Sequence, residues 1–389
     1  MKILHQAGHN TSWNLESFQN ENCGDGIIFS PVHYSMERLT KIDSKVKKVS
    51  LFDPQFYIPD SQKVKLHSYE FFPEKITNGF STTDFEGVAH KSAAMCLDFQ
   101  LENDFESIVV PARYFPELVS DYIEKQRAFT VEPFLAELEK RKIKKKVLLS
   151  LPVTTAMTQD KGYRQQILNW ITSYPEISGV YLLTEIGETT KQICTPEKLQ
   201  TQVDFIRDLQ GANLHVIAGY CNTESVILTL LEPYAVTIGA YENTRTFSID
   251  KFLEEESDKR GPAPRLYFPK LLNWMRYDTA IEIKDDHPDI WKKIYVPTIH
   301  SETIFKTGRP HFTKPELYKH HFQLISEQLR DLSKKELGGR VEAVKEIISG
   351  AKSLYQEIEA SGVMYFDRNC SGDHLPIWNR VVNKLSSSK

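Results

Sequence analysis

The chain has 389 residues, 40% of them hydrophobic and 26% charged, which is the balance of a globular protein. Its net charge of −4 gives no global basic field of the kind that announces a nucleic-acid binder. Five scattered cysteines without a C-x-x-C pair exclude a disulfide framework and a cysteine-rich zinc site.

Short apolar, β-branched runs follow one another: Gly26–Phe29, Val49–Phe52, Ser107–Val110, Val147–Ser150, Gly179–Leu183, Leu214–Ala218, Ala235–Ile238 and Arg265–Phe268. Their hydrophobicity is continuous instead of alternating, as in a parallel sheet covered by helices on its faces. Helical patterns lie between them. One opens at Glu117–Ile123, another covers Tyr163–Ile171, and a third starts at Pro196 behind Thr195 as N-cap. The long gap from Tyr57 to Glu106 holds a helix plus an insertion. The basic run from Lys140 to Lys146 reads as a solvated helix end ahead of a strand.

Eight β-then-α units over about 250 residues predict an α/β fold, a (β/α)8 TIM-like barrel, in preference to an open sheet. Past Trp274 the pattern turns helical. Long stretches lie at Lys314–Leu332 and Gly339–Ala360, the latter with Val341, Val344, Ile347 and Ile348 on one face, and a short one at Leu375–Leu385. The expected organisation is a barrel over 1–285 and a C-terminal, mostly helical extension over 286–389, a candidate surface for a protein partner. No apolar run reaches the ~20 residues of a membrane span or resembles a signal peptide, so no membrane association and a cytoplasmic location are expected.

Barrel enzymes carry their active sites at the carboxyl ends of the strands. That rim collects Ser30, His33 and Tyr34, then Asp53, Gln55 and Tyr57, then Arg113 and Tyr114. Thr154, Thr155, Glu185, Glu188, Tyr220 and Asn222 follow. The stretch GAYENTRTF then delivers Tyr241, Glu242, Asn243 and Arg245 directly after an apolar run, and Lys270 follows the last run. Several have a plainer role open to them. Asp53 precedes Pro54 and suits a turn, Arg245 suits a structural pair with Glu242, and Glu188 beside Thr189 and Thr190 suits an exposed loop. His33 reads as a surface histidine, and His311, His320 and His321 lie in the extension, outside the site. Neither a P-loop nor a G-x-G-x-x-G after a strand occurs, so neither a cofactor nor a metal is expected.

From Gly179 to Phe247 the chain resembles the later strands of the tRNA-guanine transglycosylase superfamily. LLTEIGE (Leu182–Glu188), HVIAGYCNTES (His215–Ser225) and AVTIGAYENTR (Ala235–Arg245) stand at closely similar intervals, and LFDPQFY (Leu51–Tyr57) resembles that family's D-S-G-G-F-Q segment. The resemblance implies a barrel enzyme that exchanges a guanine or 7-deazaguanine base in tRNA or, for some members, DNA. It implies Asp53 as general acid/base, Glu188 near the bound base, and Thr244-Arg245 as the family's T-R pair. The sequence also departs from the pattern. Gly239 falls at the nucleophilic aspartate, the base-reading Asp and Gln are missing from Pro111–Arg113 and Leu151–Val153, and the family's zinc site is absent.

Breaking an N-glycosidic bond passes through an oxocarbenium-like transition state, so one carboxylate must face the anomeric carbon and an acid/base group must manage the proton on the base. Asp53 and Glu242 are the candidate pair, Glu242 as nucleophile or ion-pair partner. Glu188 would bond the base edge, and Tyr57, Tyr220 or Tyr241 would stack on a flipped-out base. Arg113 and Arg245 would hold phosphate, Asn243 completes the set, and the loop Asp258 to Gly261 is a further phosphate candidate. The expected partner is nucleic acid, tRNA or DNA. Two alternatives stay open: a catalytically silent barrel that binds nucleic acid or a protein partner, and a glycoside hydrolase using Glu185 and Glu242.

Overall fold

The chain enters its sheet at once. In the computed structural model, which describes residues 1–77, 85–117, 119–188, 191–253, 261–363 and 368–387, β1 is Lys2–Gln6, ahead of the first run expected from the sequence. The strands β2 (Gly26–Phe29), β3 (Leu51–Phe52), β4 (Ile108–Val110), β5 (Val147–Thr154), β6 (Ile177–Glu185), β7 (His215–Ala218) and β8 (Ala235–Gly239) follow. All pair in parallel, in the order β3-β2-β1-β8-β7-β6-β5-β4. The two edges meet where Glu106 donates its N–H to the Ser50 carbonyl, at 3.0 Å. The result is the nearly closed (β/α)8 barrel that the run pattern predicts.

Membership differs at both ends. β1 is the strand that the apolar pattern missed. Arg265–Phe268, expected as the eighth barrel strand, is β9 of an antiparallel hairpin with β10 (Asn273–Arg276) outside the barrel. Lys270 therefore sits on a hairpin turn, not on the rim, and its ammonium bonds the Lys293 carbonyl at 2.8 Å.

Every residue of β5 and β8 is buried, as strands sandwiched between a filled interior and a helical layer must be. Pro152 is tolerated in β5 because its β4 pairing stops at Leu149. The interior is partly polar. Tyr181 of β6 donates to Gln6 Oε1 of β1 at 2.7 Å, and because those strands are not neighbours, the bond crosses the barrel.

The covering helices are α1 (Thr11–Glu21), α2 (Phe85–Glu102), α3 (Glu132–Lys140), α4 (Lys161–Thr172), α5 (Pro196–Gly211) and the short α6 (Ser225–Leu228). The helix expected from Glu117 begins at Tyr122 and runs through a wide turn into α3; Leu118, Thr189, Thr190 and residues 258–260 lie outside the described residues. Beyond the hairpin come α7 (Tyr277–Asp286), α8 (Pro288–Ile294), α9 (Ile299–Thr307), α10 (Pro315–Ser333), α11 (Leu337–Ala360) and α12 (His374–Ser387).

Buried polar bonds fasten this extension to the barrel. His320 of α10 bridges Thr298 Oγ1 at 2.8 Å and the Tyr267 carbonyl of the β9–β10 hairpin at 3.0 Å, tying the extension to that hairpin. Arg340 of α11 donates to the Thr229 carbonyl at 2.8 Å, and the Trp378 indole of α12 donates to the Ile193 carbonyl at 3.0 Å. No helix among the described residues is long and apolar enough to cross a membrane.

Candidate active site

β3 is only two residues long, and it delivers Asp53 directly into the barrel mouth. The Asp53 N–H still bonds the Phe29 carbonyl, at 3.1 Å, so its backbone is held by the sheet while its side chain is wholly buried. Gln55, in the left-handed region at φ 59°, folds back and donates its N–H to Asp53 Oδ1 at 3.2 Å. The Tyr57 hydroxyl lies 2.9 and 2.8 Å from the two carboxyl oxygens. Burial pushes the Asp53 carboxyl up to about 7, against the opposing pull of the Tyr57 and Gln55 bonds. The turn role and the acid/base role coincide in this residue, and a carboxyl poised near neutrality can both give and take a proton.

Beside Asp53 stands a residue that the sequence did not single out. Lys251 lies in the 3-10 turn Ile249–Phe252, which is pinned across the rim by Glu185, whose Oε1 accepts the Ile249 N–H at 3.2 Å. The other Glu185 oxygen accepts the Tyr114 hydroxyl. Ser61 adds a bond to the Phe252 carbonyl at 2.6 Å. The Lys251 ammonium reaches over the Tyr220 ring, 3.4 Å from its centroid, with Phe247 at 5.2 Å and Phe252 at 5.5 Å. Burial holds its amine well below the ordinary lysine range, and the field of Asp53 opposes that displacement. No motif marks this position; the only trace in the sequence is a lysine among aromatics.

Lys251 borders a cleft of about 820 Å³ that is also lined by His9, His33, Lys63, Lys65 and Glu242, among others; the wholly buried Asp53 is not part of its lining. Lys63 and Lys65 supply its positive charge. Burial, followed by the fields of Lys251, Lys65 and His9, drives the His33 imidazole down to about 3, and its Nε2 is buried without a partner. Glu242, the carboxylate on the cleft wall, is half-exposed and already paired with Lys191. Such a concave, cation-lined mouth focuses field on an anion. A second hollow of about 580 Å³, around Met1, Lys2 and His215, opens at the amino-terminal ends of the strands, where barrels do not carry chemistry.

A smaller pocket of about 30 Å³ lies between the ends of β6, β7 and β8, with room for one or two waters. Several of its polar atoms lack protein partners: Asn222 Oδ1, Glu224 Oε2, Gln202 Oε1 and two guanidinium nitrogens of Arg245. Arg245 is 7% exposed and stacks on Trp274, 3.8 Å from the ring centroid, and burial lowers it to about 10. Burial likewise raises the Glu224 carboxyl to about 7.

The structure thus joins Tyr57 to Asp53, sets Tyr220 beneath Lys251, and puts Tyr241, Glu242 and Asn243 on the cleft wall. Tyr57 meets Phe247 and Phe252 edge-on, and the Tyr220 face is taken by Lys251, so both rings are occupied. Tyr241 accepts a bond from Asn10 at 2.7 Å and packs on Tyr318 of α10. Asn243 is exposed, and its carbonyl accepts Lys251 Nζ at 3.3 Å. Glu188 lies in the small pocket, and its Oε1 accepts the Thr195 N–H at 3.1 Å, at the start of α5. Arg113 packs on Phe129, 4.6 Å from the centroid, in a different pocket. Gly239 is sealed: a side chain there would run into the Thr244 carbonyl and hydroxyl. Among the described residues no group of three or more His, Cys, Asp or Glu is placed to share a metal ion.

No family model and no curated protein matches the chain. Among solved structures it is similar to dihydrodipicolinate synthase from Oceanobacillus iheyensis, at 9% identity over 81% of each chain with a TM-score of 0.24. So distant a likeness carries no argument about chemistry, and the functional reading rests on the site itself.

Proposed function

We propose that the cation-lined cleft binds the phosphate backbone of a nucleic acid, tRNA or DNA, and that Asp53 behind it is the acid/base of a transglycosylase-like reaction on an N-glycosidic bond. The observation that carries this reading is one juxtaposition. A buried carboxyl poised near 7, within the field of Lys251, stands behind a cleft that Lys251 lines together with Lys63 and Lys65. Phosphates neutralise that wall, and a carboxyl of this kind protonates a departing base. Glu242 is then the carboxylate that faces the sugar, released from Lys191 when the backbone binds.

The test is incubation of the chain with tRNA and with single- and double-stranded DNA, following release or exchange of free base. Wild-type turnover that is lost in Asp53→Asn, with nucleic-acid binding retained, supports the reading. Turnover indifferent to Asp53→Asn defeats it.

A second reading rests on Gly239. Because that position has no space for a side chain, the family's nucleophile has no counterpart there, which favours a silent barrel that binds nucleic acid without turnover. Binding with no base release in any arm would select it.

A further inference from the structure

Lys251 differs from the other lysines of the cleft wall. Its Nζ is enclosed by three aromatic rings, at 3.4 Å from Tyr220, 5.2 Å from Phe247 and 5.5 Å from Phe252, yet it borders the open cleft. The Glu185 bond to Ile249 and the Ser61 bond to Phe252 fix the turn that carries it. Its polar contact is weak, the Asn243 carbonyl at 3.3 Å, and no carboxylate among the described residues pairs with it. A structural lysine keeps its charge in water or against a carboxylate. An amine kept in an aromatic enclosure, without a carboxylate partner and open to a ligand-sized space that Lys63 and Lys65 also line, is instead arranged as a nucleophile.

From this geometry we propose that Lys251 is an imine-forming lysine that takes a phosphate-bearing aldehyde or ketone. The phosphate would lie against Lys63 and Lys65, and the carbonyl carbon would face Nζ. In the step, the Nζ lone pair forms a C–N bond to the carbonyl carbon. The carbonyl oxygen then leaves as water, carrying away the two protons of the neutral amine, so amine and carbonyl become imine and water with no change of oxidation state. Asp53, whose field reaches Lys251 and whose carboxyl is poised near 7, is the group that lends and recovers the proton. Burial, which lowers the amine well below its usual range, supplies the neutral form. This chemistry goes beyond the glycosyl-transfer reading and stands without it. The carbonyl has two possible sources, a free sugar phosphate or the aldehyde of an abasic site flanked by backbone phosphates.

The full chain is incubated separately with pyridoxal 5′-phosphate, glyceraldehyde 3-phosphate and an abasic-site oligonucleotide, reduced with sodium borohydride, and digested for peptide mapping. Lys251 is expected to carry the pyridoxal phosphate adduct about tenfold more than any other lysine, and pyridoxal without its phosphate should label it about tenfold less. The other two arms show which source is trapped at Lys251. Lys251→Arg, which keeps a long basic side chain over Tyr220 but has no primary amine, should abolish the adduct. If that variant does not fold, the wild-type peptide map alone decides. Label spread evenly over surface lysines, or favoured labelling at a residue other than Lys251, overturns the proposal. Even labelling beside intact base release would defeat this inference alone, whereas selective labelling without base release would defeat only the glycosyl-transfer reading.

Discussion

The Tyr57 hydroxyl lies within 2.9 Å of both oxygens of Asp53, and both side chains are buried. That contact stabilises the ionised carboxylate against the desolvation that opposes it. Tyr57→Phe should therefore raise the Asp53 carboxyl above about 7. Loss of one bond to a charged group corresponds to roughly 1.5–3 kcal/mol. An infrared titration of the carboxyl band checks this, and a midpoint unchanged or lowered in the variant would contradict it.

The displacement of Asp53 also makes stability depend on pH. The folded chain keeps a proton that the unfolded chain gives up around 3.8, so Asp53 costs nothing below that value. It destabilises progressively as pH rises towards about 7. The full effect is about 4 kcal/mol as an upper order of magnitude. Asp53→Asn should thus gain stability relative to wild type between pH 4 and 8. Urea unfolding at the two ends of that window measures the difference; parallel curves would show that Asp53 is not the desolvated acid described here.

Gly239 offers a steric test. Because a Cβ at that position meets the Thr244 carbonyl, Gly239→Ala should destabilise by about 1–3 kcal/mol, the usual cost of overpacking. Gly239→Asp should cost at least as much and install no nucleophile. A Gly239→Ala melting temperature equal to wild type would mean that the turn Glu242–Thr244 yields easily.

Arg340 ties α11 to the barrel through the Thr229 carbonyl at 2.8 Å, the Leu332 carbonyl at 3.0 Å and Glu232 at 2.8 Å. Arg340→Lys keeps the charge but loses the planar fork. With several buried carbonyls left unpartnered, a loss of about 2–4 kcal/mol is expected. Denaturant unfolding reads it directly, and a change within about 0.5 kcal/mol, the usual surface range, would show that Arg340 does not help to hold the extension.

What could be read from the sequence follows the physics of burial. β2 to β8 announce themselves because strands covered on both sides need unbroken apolar runs. β1 does not, since KILHQ turns Gln6 inward to Tyr181 and spends His5 on the Cys23 carbonyl and Asn14. Arg265–Phe268 looked like a barrel strand because a hairpin buried under α10 is just as apolar. Asp53 was legible from its place after a strand. Lys251 was not, because what distinguishes it is an enclosure by rings from two separate rim loops, and no spacing along the chain encodes that. Glu188 looked like a loop carboxylate free for a ligand, but its bond to the Thr195 N–H appears only once the loop has folded back on α5.

The most direct test of a phosphate-binding cleft is the salt dependence of binding a labelled single-stranded oligonucleotide, for wild type and for the Lys63→Glu, Lys65→Glu double variant. If phosphates lie against this wall, log affinity falls linearly with log salt. The charge reversal should weaken binding by about tenfold or more and flatten the slope by about one to two counterions. Affinity that ignores both salt and the charge reversal would place any nucleic-acid contact elsewhere and leave the cleft without the role proposed for it.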